Sequence, residues 1–312
     1  MNVVFVTLFC LLPFIFAHPF DADDSVCPPE NAISPCTCNP ESRHVRCDAL
    51  VSTTDLRNAF KNLAGGSYEE LMIHSSTLQY IPHEIQQVRF QRLYIRESTF
   101  VDLFDAPPTT LTSLEVIHIE KSKLLRKKWS HFTPLTSLRE LRILDTSVRV
   151  LDEDLGKSLP KSLKSLTFRG TETRTIKPGA FHGLDNIEAL EVKDAELINL
   201  RRDIFPTPFN VERLSFIENK LITLPKDLFT QMPKLKVVDL RVNGLIEVPE
   251  EAFGETASQL DILLLDVNPL KCDCTLEWLV KNGPEVRSGI CESPVEMKGK
   301  RLSTLTTDDF EC

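Results

Sequence analysis

The chain has 312 residues, of which 42 % are hydrophobic and 26 % are charged, a composition that indicates a globular protein rather than a disordered or fibrous one. Its formal net charge at pH 7 is −9. This acidic balance argues against a nucleic-acid partner, because nucleic acids bind basic surfaces. No Asn-x-Ser/Thr sequon occurs, so N-glycosylation is not expected.

The chain opens with an apolar segment, MNVVFVTLFCLLPFIFA, that carries no charged side chain. A spanning helix needs about 20 apolar residues. This shorter segment therefore predicts a secretory signal peptide over residues 1–17, followed by a short acidic segment over residues 18–26. No later hydrophobic run has spanning length, so we expect a secreted protein of the extracellular space or matrix, without a membrane anchor.

The cysteines lie in two groups, one near each end of the chain. Cys10 falls in the predicted signal peptide, and the other eight form the groups Cys27, Cys36, Cys38, Cys47 and Cys272, Cys274, Cys291, Cys312. An even number of cysteines in an oxidising compartment predicts disulfides. Zinc is the alternative, but neither group contains the C-x-x-C pair that structural zinc sites favour. Each group of four allows three pairings, and spacing alone leaves the choice open.

A short helix is predicted directly after the first cysteine group. The stretch TTDLRNAFKNLAGG favours a helix with Thr53 or Thr54 as its N-cap and Gly65-Gly66 at its end. Residues 27–67 are therefore predicted to form an N-terminal cysteine cap that includes this helix.

Apolar triplets recur along the middle of the chain. They begin at residues 71, 93, 117, 141, 166, 190, 214, 238 and 263, so successive triplets lie 22 to 25 residues apart. This period is typical of leucine-rich repeats, and the pattern L-x-x-L-x-L-x-x-N-x-L is clearest in VERLSFIENKL and LKVVDLRVNGL. Each L-x-L segment predicts a strand with its leucines inward and its other residues outward. We expect an α/β leucine-rich-repeat solenoid, a horseshoe with about nine parallel concave strands, over residues 68–267.

Two further columns follow the repeat period. The first places Asn219, Asn243 and Asn268 at the ends of their strands, where a buried amide can bond the backbone of neighbouring turns. The earlier repeats carry Ser76, Ser98, Ser122, Thr146, Thr171 and Ala195 at that position, which predicts a less regular N-terminal half. The second column, predicted to fill the core, consists of Phe132, Phe181, Phe205, Phe229 and Phe253.

The ends of the repeats carry a family resemblance. The segments NPLKCDCTLEWL, ICESP and LSTLTTDDFEC, within residues 268–312, resemble the C-terminal cysteine cap of extracellular leucine-rich-repeat proteins, and CPPENAISPCTCNPESRHVRC resembles the N-terminal cap. Such caps close the open ends of a repeat stack. The resemblance implies the disulfides Cys272–Cys291, Cys274–Cys312, Cys27–Cys38 and Cys36–Cys47. The chain is also similar to arthropod secreted proteins that are compared with the large non-catalytic subunit of the luciferin monooxygenase of decapod shrimps.

The sequence contains no catalytic motif. It lacks the G-x-S-x-G, phosphate-loop, H-E-x-x-H and dinucleotide-binding patterns, so we predict a protein that is not an enzyme and that uses no cofactor or metal. His74 and His118 point outward from strands that are two apart, roughly 10 Å from each other. We interpret both as solvated side chains.

The outward side chains of the strands predict a binding face. Their charges alternate in sign, and Glu191 with Lys193, or Asp239 with Arg241, can pair along one strand. An extended face of mixed charge suits a protein ligand better than a lipid or a small molecule. The candidate contact residues are Tyr94, Arg96, His118, Arg142, Arg169, Lys193, Ile217 and Arg241.

A basic run, KSKLLRKKW, occupies residues 121–129. Its side chains could bind a glycosaminoglycan-like polysaccharide. The residues in question are Lys123, Arg126, Lys127 and Lys128. A solvated convex loop with Leu124 in the core is the alternative interpretation.

Three functions are compatible with these predictions. The first is a secreted scaffold that holds a protein partner on the concave face. The second, which the resemblance implies, is a non-catalytic subunit that stabilises a separate secreted oxidoreductase. The third is an extracellular matrix component that binds polysaccharide. The sequence does not identify the partner in any of the three.

Overall fold

The computed structural model describes residues 26–312, so the predicted signal peptide and nearly all of the acidic segment lie outside the described residues. Within these residues, twelve strands form one sheet whose order follows the chain. The strands are β1 (Cys36–Asn39), β2 (His44–Asp48), β3 (Ser67–His74), β4 (Arg89–Arg96), β5 (Val116–Glu120), β6 (Glu140–Leu144), β7 (Ser165–Arg169), β8 (Ala189–Lys193), β9 (Arg213–Ser215), β10 (Val237–Asp239), β11 (Ile262–Leu264) and β12 (Val286–Ser288). β1 and β2 are antiparallel, and all later neighbours are parallel.

The strands follow the alternation that the repeats predict. In β5, Ile117 and Ile119 are buried, whereas Val116, His118 and Glu120 are half-buried on the opposite face. β3 to β11 belong to the nine predicted repeats, which confirms the α/β leucine-rich-repeat solenoid. The sheet is longer than predicted because β1 and β2 extend it from the N-terminal cap and β12 extends it from the C-terminal cap.

The return side of each repeat is built from short elements. The α-helices are α1 (Glu30–Ile33), α2 (Thr53–Leu63), α3 (Glu153–Ser158) and α4 (Trp278–Lys281). The 3₁₀ helices are His83–Gln87, Trp129–Phe132, Arg202–Ile204, Glu250–Ala252, Gly254–Gln259, Cys274–Leu276, Leu302–Thr304 and Thr307–Asp309. The remaining strands are Thr77–Leu78, Thr99–Phe100 and Lys123–Leu124 in one small sheet, Val150–Leu151 with Thr175–Ile176, and Leu270–Lys271 with Cys291–Ser293.

The predicted phenylalanine column fills the space between the sheet and the return side. All five of its side chains are buried. Rings from adjacent repeats stack, with centroids 5.7 Å apart for Phe181 and Phe205 and 4.9 Å apart for Phe229 and Phe253. The core-packing interpretation is therefore confirmed.

Helix α2 lies where the sequence predicts it, but its N-cap was assigned wrongly. Ser52, not Thr53 or Thr54, has the extended backbone of an N-cap, and its side chain accepts the N–H of Thr54. The helix ends before Gly65, whose φ of 80° terminates it. Its buried face consists of Leu56, Ala59, Phe60 and Leu63.

An amide ladder, consisting of Asn219, Asn243 and Asn268, bonds neighbouring repeats in the C-terminal half. The Nδ2 atom of Asn243 donates to the carbonyl oxygen of Phe216 at 2.9 Å and to that of Leu240 at 3.0 Å. Its Oδ1 atom accepts the N–H of Leu221 at 3.0 Å. The other two members make equivalent bonds, so the predicted role of these amides is confirmed.

A hydroxyl ladder, consisting of Ser76, Ser98, Ser122 and Thr146, replaces the amides in the N-terminal half. The Oγ atom of Ser98 donates to the carbonyl oxygen of Arg96 at 2.8 Å and accepts the N–H of Ser76 at 3.0 Å. The same pair of bonds recurs at each member. These four repeats are therefore as regular as the C-terminal ones. The predicted irregularity is limited to the next two repeats, where Thr171 bonds the hydroxyl of Thr173 and Ala195 has no polar side chain.

A column of residues with positive φ follows the strands, one per repeat. From Ser75 to Val242, each donates its N–H to a backbone carbonyl of the next repeat, as Ser75 does to Arg96 at 3.0 Å and Val242 does to Asp266 at 2.8 Å. The column therefore extends the hydrogen-bonded stack one residue beyond the strands. Its members include Ser75, Glu97, Lys121, Asp145, Asp194, Glu218, Val242 and Val267.

Disulfide caps close both ends of the solenoid. At the N-terminal end Cys27 pairs with Cys38, and Cys36 pairs with Cys47 to join β1 to β2. At the C-terminal end the pairs are Cys272–Cys291 and Cys274–Cys312. These are the pairs that the resemblance implies. The indole N–H of Trp278 in α4 donates to the carbonyl oxygen of Val248 at 2.8 Å, which joins the C-terminal cap to the repeat of β10.

Candidate protein-binding face

The concave face consists of the outward side chains of the sheet, which stand in rows because the strands are in register. One row places Thr167, Glu191, Ser215 and Asp239 side by side on β7 to β10. The next row along the strands includes Arg169 and Lys193. A ligand on this face therefore contacts side chains of adjacent strands, which lie about 4.8 Å apart.

Ion pairs cover the N-terminal part of this face. Arg46 Nε lies 2.7 Å from Asp48 Oδ2, and this hydrogen bond holds the pKa of the Asp48 carboxyl below its usual range. His74 Nδ1 lies 3.0 Å from the same carboxylate. Arg96, a predicted contact residue, lies 3.6 Å from Glu120. The charges of this region are therefore largely satisfied within the chain.

Three predicted contact residues come together near the middle of the face. His118 Nε2 lies 2.6 Å from Glu140 Oε1, which also lies 2.9 Å from Arg142 Nε. The ring of Tyr94 meets the imidazole of His118 edge-on, with centroids 4.7 Å apart. Burial, and next to it the carboxylate of Glu70, raises the pKa of Tyr94, so the phenol stays protonated at neutral pH. The interpretation of His118 as a solvated side chain is wrong, because only 17 % of the side chain is exposed.

The two predicted pairs along single strands have different outcomes. Arg241 and Asp239 form a two-pronged pair, with Nε 2.9 Å from Oδ1 and Nη2 2.6 Å from Oδ2. This hydrogen bonding raises the pKa of Arg241. Lys193 does not pair with Glu191 but lies 3.6 Å from Glu218 in the next repeat. A carboxylate of the next repeat can therefore pair with a cation in place of a carboxylate on the cation's own strand.

A depression of about 520 Å³ occupies the centre of the concave face. Small side chains, among them Ala189 and Ser215, and four arginine side chains line it. Arg169 and Glu191 line it, are partly buried, and form no ion pair with any residue from 26 to 312. The lining consists of Arg142, Leu144, Ser165, Leu166, Thr167, Arg169, Ala189, Leu190, Glu191, Arg213, Leu214, Ser215, Ile217, Val237, Asp239 and Arg241.

The depression groups some of the predicted contact residues and leaves others apart. Arg142, Arg169, Ile217 and Arg241 line it, although Ile217 is buried. The remaining four, Tyr94, Arg96, His118 and Lys193, lie outside the lining. Sequence reasoning missed Glu191, Arg213 and Ser215 as site residues. The signal that could have located the depression is the run of small outward side chains, namely Ser165, Thr167, Ala189 and Ser215.

The basic run lies off this face and is partly neutralised. Lys128 lies 3.0 Å and Arg126 3.7 Å from Asp102, a nearly buried carboxylate. Leu124 is in the core, as the alternative interpretation holds. Lys123 and Lys127 are exposed and form no ion pair within the described residues.

Residues 26–312 contain no group of three or more His, Cys, Asp or Glu side chains placed to hold a metal ion. None of the helices in this range has both the length and the apolar character that crossing a membrane requires.

Comparisons with known proteins show what the chain is similar to. No protein-family model and no curated protein matches it. A chain from the octameric complex of Latrophilin 3, Unc5D and FLRT2, in which FLRT2 is the LRR component, aligns with 92 % of this chain and 100 % of its own at a TM-score of 0.48 and 18 % identity. A leucine-rich-repeat protein of Leptospira interrogans aligns with 70 % of this chain and 58 % of its own at a TM-score of 0.52 and 23 % identity. The second alignment shows the same leucine-rich-repeat fold.

Proposed function

We propose that the protein is a secreted, non-enzymatic scaffold that binds a protein partner on its concave face. The observation that carries this proposal is the central depression, where Arg169 and Glu191 are charged, partly buried and without ion pairs to the described part of the chain. Charges held in such surroundings without partners gain most from a ligand that supplies complementary groups.

The shape of the face supports a macromolecular partner. It is an open sheet whose rows of polar side chains are in register across the strands. A small-molecule site is instead an enclosed and mostly apolar pocket. Extended concave surfaces of stacked repeats offer many weak contacts at once, which suits a protein ligand.

Secretion is supported by the two pairs of disulfides that close the ends of the solenoid. Such disulfides persist in oxidising compartments and are rare in the cytosol. The second hypothesis, a non-catalytic subunit of a secreted oxidoreductase, would use the same face. It predicts a permanent complex of fixed ratio, whereas the scaffold hypothesis predicts a reversible partner.

A glycan placed on the concave face tests the proposal. The substitution Arg213→Asn creates the sequon Asn-Leu-Ser with Ser215, on an exposed position of β9. Thr110→Asn creates Asn-Leu-Thr with Thr112, on an exposed loop of the return side, and serves as the matched control. Tagged full-length chains, secreted from eukaryotic cells, are used to recover proteins from the source fluid.

We expect the unmodified chain and the Thr110→Asn glycoform to recover the same partner, and the Arg213→Asn glycoform to lose it. Equal recovery by all three would refute binding through the concave face. Recovery of an enzyme at a constant ratio would favour the oxidoreductase-subunit hypothesis over a reversible scaffold.

A further inference from the structure

Three polar groups in the depression have no side-chain partner among residues 26–312. Two are the side chains of Arg169 and Glu191, which form no ion pair within residues 26–312. The third is the hydroxyl of Ser215, whose Oγ atom is buried and makes no hydrogen bond. Among residues 26–312, the other buried side-chain atoms without a hydrogen-bond partner belong to Glu84, Asp102 and His131, outside the concave sheet.

Other charged side chains that line the depression do form ion pairs, unlike Arg169 and Glu191. Arg142 is paired with Glu140, and Arg241 with Asp239. Arg213 lies 3.7 Å from Glu212. Among the charged residues that line the depression, Arg169 and Glu191 are therefore the cation and the anion that have no ion pair with the described residues.

The register of the sheet fixes how the two charges are arranged. Thr167 lies beside Glu191, and Arg169 lies beside Lys193, on adjacent parallel strands. Arg169 and Glu191 are thus diagonal neighbours, one strand apart and two residues apart along the strand. With about 4.8 Å between strands and about 6.6 Å for two residues, their Cα atoms are separated by roughly 8 Å. Side chains on one face of an extended peptide repeat at about 6.6 Å, a comparable distance.

We propose that the depression binds an extended peptide segment of the partner that carries an acidic and a basic side chain separated by one residue. The carboxylate bonds Arg169, the cationic group bonds Glu191, and a polar group of the segment bonds the hydroxyl of Ser215. This inference rests on the proposed function, because it assigns the chemistry of the ligand to the same face.

Charge complementarity selects this segment over simpler ones. A purely acidic segment would bring like charge against Glu191, and a purely basic segment would bring it against Arg169. An uncharged segment would cover both groups and leave each without a partner. Each of these arrangements is disfavoured, because desolvated charges that stay unpaired oppose binding.

Selection from random linear peptides displayed on phage tests the inference with a defined probe. The full-length chain is compared with Arg169→Glu, which leaves two acids in the depression, and with Glu191→Arg, which leaves two cations. Arg169→Lys keeps the charge, and Lys234→Glu reverses an exposed charge outside the depression. Circular dichroism verifies that every variant is folded.

We expect the unmodified chain, Arg169→Lys and Lys234→Glu to enrich peptides with an acidic and a basic residue separated by one position. Arg169→Glu should enrich basic peptides, and Glu191→Arg should enrich acidic ones. An enriched peptide should bind either reversal variant about tenfold more weakly or worse, since a hydrogen bond to a charged group is lost.

Two outcomes would overturn the inference. One is enrichment of the same peptides by the unmodified chain and by both reversal variants, or no enrichment at all. The other is displacement of the enriched peptides by free lysine or free aspartate, which would assign the depression to small zwitterions. If peptides unrelated to the two charges are enriched but are lost from the Arg213→Asn glycoform, the proposed function stands and only this inference fails.

Discussion

Replacing Asn243 in the amide ladder tests whether side-chain amides hold the C-terminal repeats together. Most of its acceptors keep a second donor without it. The carbonyl oxygen of Phe216 also accepts from Asn219, and that of Leu240 also accepts from Asn268. The N–H of Leu221 is different, because Asn243 Oδ1 is its hydrogen-bond acceptor.

The expected cost of Asn243→Ala follows from this accounting. One buried N–H left without an acceptor costs about 1–3 kcal/mol, and each lost hydrogen bond whose acceptor stays satisfied adds about 0.5–1 kcal/mol or less. The sum is a loss of about 2–4 kcal/mol in the free energy of unfolding. Asn199→Ala, at an exposed position two repeats earlier, is the matched control and should stay within about 0.5 kcal/mol of the unmodified chain.

The substitution Asn243→Ser tests whether a hydroxyl can replace an amide in the amide ladder. In the N-terminal half a serine hydroxyl accepts the N–H of the preceding ladder residue, as Ser98 does for Ser76. The group that needs an acceptor here is instead Leu221, two residues beyond Asn219, the corresponding ladder position. A short hydroxyl does not reach it, so Asn243→Ser should be nearly as unstable as Asn243→Ala.

Equilibrium urea unfolding of the oxidised chain, followed by circular dichroism, measures these differences. The slope of each transition must agree between variants for the free energies to be compared. The reasoning would be refuted by an Asn243→Ala variant within 0.5 kcal/mol of the unmodified chain, where ~0.5 kcal/mol is the scatter of neutral surface changes. It would also be refuted by an Asn243→Ser variant of full stability.

Three further predictions concern other parts of the solenoid. Val267 is 71 % exposed and has a φ of 58°, a left-handed conformation that strains valine and suits asparagine. Val267→Asn should therefore raise the free energy of unfolding by about 1 kcal/mol. An unchanged free energy in urea unfolding would contradict the strain at this position. Replacing Cys274 and Cys312 by serine opens a span of 38 residues and should cost about 4 kcal/mol by chain entropy, whereas a cost below about 1 kcal/mol would contradict that model. The hydrogen bond from Lys300 lowers the pKa of Asp309 from 3.8 to about 2, so its contribution to stability is present above pH 3.8 and lost as the pH falls through about 2. A carbon-13 NMR titration of that carboxyl with a midpoint at 3.8 would contradict this pairing.

The repeat period carries most of the fold, because each strand and each core residue recurs at a fixed spacing. Asn219 and Phe181 could be assigned from the sequence since their positions repeat in several units. The hydroxyl ladder was harder to predict, because a serine at the same position as Asn219 bonds a different backbone group. The positive-φ column was missed for a related reason. Glutamate, lysine and valine occupy it, and none of them signals a left-handed backbone.

The concave site could be predicted as a face but not as a depression. The alternation of the strands identifies which side chains point outward, Arg169 and Arg241 among them. It does not reveal which charged side chains form ion pairs, because that depends on which neighbouring side chain lies close enough in the folded sheet. Lys193 pairs with Glu218 in the next repeat, which leaves Glu191 without an ion pair among residues 26–312. Ion pairs of this kind depend on the packing of the folded sheet and have no periodic pattern in the sequence.

The depression lies where the solenoid changes from one ladder to the other. The hydroxyl ladder ends at Thr146 and the amide ladder begins at Asn219, and the two repeats between them carry the unpaired charges on β7 and β8. The strands also shorten there, from five residues in β8 to three in β9. Just beyond the end of β9, Asn219 Nδ2 bonds the carbonyl oxygens of Phe216 and Ile217. Two modes of stacking therefore meet in the middle of the concave face, and the unsatisfied polar groups are found on the strands where they meet.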